Sequence, residues 1–165
     1  MDIFDEAILG FWRALNKYSV KYIMVGGYAT NLHGYQRYTG DLDIWIEDTP
    51  ENRLHLREAF KNYGIGDFPM LATLQFIPGW TNFTLNNGLT LDVMVGVKGL
   101  ENYSFDECLS MATVAEIGDV KVFFLHINHL IESKVAANRP KDQIDVIYLE
   151  KIKQIREEEG KNPAS

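Results

Sequence analysis

VGGYATNLHGYQRYTGDLDIWI, residues 25–46, decides how the chain is read. Its last six residues alternate Asp41, Asp43 and Trp45 with Leu42, Ile44 and Ile46, the two-residue period of a half-buried strand. Two acids two apart on a strand leave the same face, their Cα atoms roughly 6.5–7 Å apart. The apolar face fixes the register and aims both carboxylates. Like charges held this way repel each other unless a cation sits between them. An Asp-x-Asp pair alone fits a solvated strand edge equally well. Here it follows Gly26-Gly27 after thirteen residues, and that pair closes the short apolar run Tyr22–Val25. Missing side chains let backbone N–H groups approach a phosphate, although an ordinary tight turn uses glycine too.

Working outward, Ile3, Phe4, Ala7, Ile8, Phe11, Trp12 and Leu15 recur at helical spacing, predicting a helix over 3–18. A short helix is expected from Tyr28 to His33. Thr49-Pro50-Glu51 starts another, with Thr49 as cap, which runs to Tyr63 and stops at Gly64. Residues 64–80 show no period. Asn86-Asn87-Gly88 joins WTNFTL to LTLDVMV as a hairpin, with Leu89, Leu91, Val93 and Val95 on one face and Asp92 on the other. A second hairpin turns at Gly118-Asp119. Asn128 is read as the cap of a helix through Asn138, Arg139-Pro140 interrupts it, and Ile144, Ile147, Ile152 and Ile155 mark a last amphipathic helix. The tail EEEGKNPAS is expected to fray. The order predicts a mixed α/β (α+β) fold, a mixed sheet flanked by helices, in one domain over 1–159 with a flexible 160–165 tail.

Composition bounds the function. At 165 residues and 46% hydrophobic, the chain can build a core and is not a disordered segment. No apolar run reaches membrane-span length. Acids near the start, where a secretory signal would carry Lys or Arg, and the single Cys108 point to a reduced, cytoplasmic setting. The net charge of −7 argues against sequence-blind gripping of nucleic acid. Asp41, Asp43 and Asp92, hard oxygen donors on rigid strands, suit Mg²⁺ or Mn²⁺, which borrow further ligands from substrate phosphates.

The glycine pair, Asp41-Leu42-Asp43-Ile44 and the later Asp92 together resemble the nucleotidyltransferase superfamily of the DNA polymerase β type. The stretch LIESKVAANRPKDQIDVIYLEKI, with Lys134 and Arg139-Pro140-Lys141-Asp142-x-x-Asp145, is similar to the C-terminal motif of small stand-alone AbiEii-like members, and the likeness spans roughly residues 20–150. Gly27 stands where many members have Ser, so that hydroxyl is missing. The resemblance implies transfer of an NMP from an NTP to an acceptor hydroxyl. Asp41, Asp43 and Asp92 would be the metal-binding catalytic acids, and Gly26, Gly27, Arg37, Thr39, Lys134 and Asp142 would bind the nucleotide. The acceptor would be RNA such as tRNA, a protein or a small molecule, with a partner protein and a toxin–antitoxin or phage-defence role among the implied settings. A catalytically silent module of the same fold and an antibiotic-modifying enzyme are the competing readings.

Several residues have plainer roles open to them. Lys134 is either a phosphate ligand or a solvated lysine, and Arg37 either binds phosphate or pairs with an acid. Lys134, Arg139 and Lys141 form a basic patch if they line the approach to the acids. Asp142 and Asp145 share a helix face. His33 reads as a helix-end hydrogen-bonding residue, Cys108, Trp45 and Trp80 as core. His126 and His129 lack the acid spacing of a zinc site.

Overall fold

The computed structural model describes residues 5–161, so Ile3 and Phe4 of the expected first helix, and 162–165 of the tail, lie outside the described residues. Helix α1 (Glu6–Lys17) starts where the Asp5 side chain accepts from the Ile8 N–H, and it buries Ile8, Phe11, Trp12 and Leu15. Strand β1 (Tyr22–Val25) passes directly into α2 (Gly26–His33), so the glycine pair is the first turn of that helix rather than a turn before it. Next come β2 (Asp41–Ile46) and α3 (Pro50–Tyr63), the latter capped by Thr49 and ended by Gly64 as the sequence predicts. Beyond a 3₁₀ turn at Pro69–Ala72 lie β3 (Asn82–Thr84) and β4 (Thr90–Met94).

Helix α4 (Phe105–Met111), capped by Ser104, was not foreseen, and its Cys108 is core. The second hairpin is β5 (Thr113–Ile117) with β6 (Val120–Phe124). Helix α5 (Ile127–Ala137) is capped by His126, whose Nδ1 accepts from the Asn128 N–H at 3.0 Å, so Asn128 is not the cap. Asn138 ends α5 in a left-handed turn at φ +52°, and α6 (Pro140–Lys161) follows. Among the described residues the strands form one mixed sheet ordered β3-β4-β2-β1-β6-β5. β1 runs antiparallel to β2, which lies parallel to β4, and β1 lies parallel to β6. The antiparallel β1–β2 pairing sets Val25 opposite Asp43, which brings the N-terminal half of β2 beside the glycine pair.

α6 departs from its expected pattern twice. It continues through Lys161, past the predicted fraying at Glu157. It also turns Asp142, Asp145 and Leu149 fully inward, while Ile144, Ile147 and Ile155 remain 49%, 56% and 53% exposed. Ion pairs described below hold the two acids inside, where breaking one pair would leave a buried charge uncompensated. α6 packs on α5 and α2, and α1 packs on α3.

Candidate active site

Parallel pairing of β2 with β4 sets Asp43 directly beside Asp92, with Asp41 opposite Thr90. The three acids line one cleft of about 630 Å³. Asp41 is exposed at its rim, Asp43 is half-buried and Asp92 is buried. Leu42, Ile44, Leu91 and Val93 are all fully buried, so the strands cannot slip to relieve the crowding. Burial, then the charges of Asp92 and Asp41, push the Asp43 carboxyl up to about 7. Burial also raises Asp92, although the Gly79 N–H donating to its Oδ2 at 2.7 Å opposes this. Oδ1 of Asp92 is buried without any hydrogen-bond partner.

An orphaned carboxylate oxygen, a neighbour whose ionisation is suppressed by burial and then by like charge, and an all-oxygen donor set fit a hard divalent cation. Among the described residues the carboxylates do not already converge as a closed metal cage, and His126 and His129 build no zinc cluster.

The glycine pair belongs to this cleft. Gly26 has φ +74°, and a Cβ there would run into the Asp43 carboxylate. At Gly27 a Cβ would lie 2.6 Å from Cγ2 and 2.7 Å from Oγ1 of Thr39. Both positions therefore need glycine for closeness, and Gly26 also for its backbone angle.

The opposite wall is cationic, but most of its charge is committed. Arg37 grips Asp145 bidentately, Nε to Oδ1 at 2.7 Å and Nη2 to Oδ2 at 2.8 Å. Arg139 grips Asp142 through Nε to Oδ2 at 2.6 Å and Nη2 to Oδ1 at 3.1 Å. Lys134 Nζ lies 3.4 Å from Asp142 Oδ1 and 3.0 Å from Asp145 Oδ2. Burial alone would raise the Asp142 carboxyl; Arg139 and Lys134 outweigh it and hold the group below its usual range. Lys134 is thus neither a solvated lysine nor a free phosphate ligand, and Asp142 has its oxygens occupied by cations. Lys98 and Lys141 also line the cleft, are exposed, and have no acid paired to them among the described residues.

Every residue singled out in the sequence for the site, namely Asp41, Asp43, Asp92, Gly26, Gly27, Arg37, Thr39, Lys134 and Asp142, borders this cleft. Sequence reasoning missed Lys98, Tyr38 and the Pro78-Gly79 turn, which show no local period, and left Asp145 without a role. Trp45 is core, whereas Trp80 is 81% exposed and is not. His33 is buried at the end of α2, donating from Nε2 to the Leu125 carbonyl at 2.7 Å. No helix among the described residues is long and apolar enough to cross a membrane.

No protein-family model and no curated protein sequence matches the chain. Solved structures do. A lincosamide antibiotic adenylyltransferase in its lincomycin-bound form superposes with TM-score 0.59 at 14% identity, over 92% of this chain and 99% of that one. ANT(2")-Ia in complex with adenylyl-2"-tobramycin gives 0.54 at 17%, over 90% and 92%. An antigenic nucleotidyltransferase-like protein from Paracoccidioides brasiliensis gives 0.55 at 17%, over 86% and 72%. The chain has the fold of these nucleotidyltransferase-like proteins, with its three strand acids and glycine pair gathered in one cleft.

Proposed function

We propose that the chain is a metal-dependent nucleotidyltransferase, moving a nucleoside monophosphate from an NTP to an acceptor hydroxyl with release of pyrophosphate. The observation that carries this reading is the set Asp41, Asp43 and Asp92 on paired strands against Gly26-Gly27, with the buried Oδ1 of Asp92 unpartnered. Asp41, Asp43 and Asp92 would hold Mg²⁺ or Mn²⁺, which when bound supplies charge for the triphosphate and acidifies the acceptor hydroxyl. Asp92 would also receive the hydroxyl proton as general base. The acceptor oxygen bonds to the α-phosphorus as the bond to the bridging oxygen breaks, and pyrophosphate takes that electron pair.

Gly26 and Gly27 admit the phosphates to the backbone. Lys98 and Lys141, the cleft's uncommitted cations, neutralise the polyphosphate, while Lys134 with Asp142 and Asp145 keeps the wall in place. The acceptor is RNA, a protein or a small molecule. A size too small for an acceptor site would favour a silent module, but the lincomycin-bound adenylyltransferase matches this chain over 99% of its own length.

The test is transfer of label from α-labelled NTPs to total RNA, protein, lincosamides and aminoglycosides. Labelling that needs both Mg²⁺ and Asp43 supports the reading. Mg²⁺-NTP binding without transfer to any class supports the silent module, and absence of both refutes the proposal.

A further inference from the structure

Thr39 sits in the loop between α2 and β2 that closes over Gly27. Only the missing Cβ at Gly27 lets its Oγ1 come so near the helix's first turn, since a Cβ there would lie 2.7 Å from it. Arg37 fixes the loop. Its Nη1 donates to the Tyr38 carbonyl at 2.9 Å and, at 3.4 Å, to Thr39 Oγ1. Its other two nitrogens are held by Asp145 at 2.7 and 2.8 Å. Asp145 is fully buried and also meets Lys134 at 3.0 Å, so it cannot turn away without stranding a buried charge. The chain of contacts runs from α5 and α6, through a guanidinium fork, to one hydroxyl.

A hydroxyl oxygen that accepts from Arg37 keeps its own proton to donate. No acceptor takes that proton among the described residues, and Thr39, Gly27 and Asp43 line the same cleft. We propose that the Thr39 hydroxyl donates to a phosphate oxygen of the bound polyphosphate, and that Asp145, acting through Arg37, is the residue that positions it. The hydroxyl that Gly27 does not carry reaches the first turn of α2 from the facing loop instead. This rests on the nucleotidyl-transfer reading and assigns a phosphate ligand within it.

Calorimetric titration of the full chain with Mg²⁺-ATP, and with Mg²⁺ plus inorganic tripolyphosphate, tests the assignment. Thr39→Val should bind both probes roughly tenfold more weakly at an unchanged melting temperature, and Thr39→Ser should stay within about twofold of the parent. Arg37→Lys keeps the charge but loses the fork, so it should weaken both probes. Combining it with Thr39→Val should add little further loss, because the two act through one hydroxyl. In the double substitution Gly27→Ser with Thr39→Ala, the hydroxyl returns from the other side and affinity should recover relative to Thr39→Ala alone. Parent-like affinity in Thr39→Val, equal losses in the Val and Ser variants, or additive losses with Arg37→Lys would overturn the assignment while leaving nucleotidyl transfer standing. A parent that binds neither probe would overturn both.

Discussion

Two groups of acids face one another across the cleft, and they are treated in opposite ways. On β2 and β4, Asp41, Asp43 and Asp92 have no cation in ion-pair contact among the described residues, and one buried oxygen of Asp92 has no partner at all. On α6, Asp142 and Asp145 are more deeply buried, yet each is met by Lys134 and by an arginine. Burial of charge is tolerated in both places, but only the second group settles its charge internally. The first leaves it for a ligand. The difference separates residues that hold the fold from residues that do chemistry, although all five are aspartates.

Breaking the settled group should have the largest effect. Asp145→Ala strands Arg37, takes from Lys134 the nearer of its two acids and should cost about 3–5 kcal/mol, read from the urea midpoint. A loss under about 1 kcal/mol would mean that solvent replaces the pairs.

Acid sharpens the contrast next. His33 is neutral, with Nε2 bound to the Leu125 carbonyl and Nδ1 facing Arg156, and burial first of all pushes its pKa down to about 4. Between 6.5 and 4 the folded chain then binds fewer protons there than the unfolded chain, so stability falls as pH drops, by roughly 3 kcal/mol in all. Asp43, raised to about 7, has the opposite sign: the folded chain binds more protons, and acid relieves its repulsion. In EDTA the two should largely offset each other in the parent between pH 7 and pH 4. Asp43→Asn should uncover more of the His33 loss, part of it still offset by Asp92, which burial also raises, and parallel pH curves for parent and variant would contradict the assignment. Asp142, held low by Arg139 and Lys134, stays ionised through most of this window.

Smaller still is Lys134→Met, expected to cost about 2 kcal/mol, because each acid keeps its arginine. Lys134 is buried, so its loss should register in stability as well as in any nucleotide use that the resemblance implies. Lys98→Gln and Lys141→Gln should change stability by less than about 0.5 kcal/mol and weaken Mg²⁺-NTP binding, checked by melting and titration of the same samples. Affinity lost through Lys134 and not through these two would reverse the assignment of roles.

What the sequence showed and what it hid follow one physical division. Local signals were enough for β2, the Asn86-Asn87-Gly88 hairpin and the Thr49 cap, because alternation, turn chemistry and capping act within a few residues. Which strands pair is not a local signal, and the gathering of Asp41, Asp43, Asp92 and the glycine pair in one cleft was implied by the resemblance. The Arg37–Asp145 clamp joins residues 108 apart in the chain, and no local period marks it. For the same reason α6 was read from its isoleucines, when its inward face is set by ion pairs that form only in the folded chain. The Gly79 N–H on Asp92 comes from a stretch with no period, so the partner of that acid was invisible too.

The most direct measurement of the central claim is the melting temperature of parent and Asp43→Asn, each with and without Mg²⁺-NTP. If the strand acids are a ligand's charge left unsettled, the variant is at least as stable as the parent in EDTA, Mg²⁺-NTP raises the parent by several degrees through linkage, and the variant loses that rise. Equal Mg²⁺-NTP shifts in the two proteins, or a variant clearly destabilised in every condition, would contradict the account.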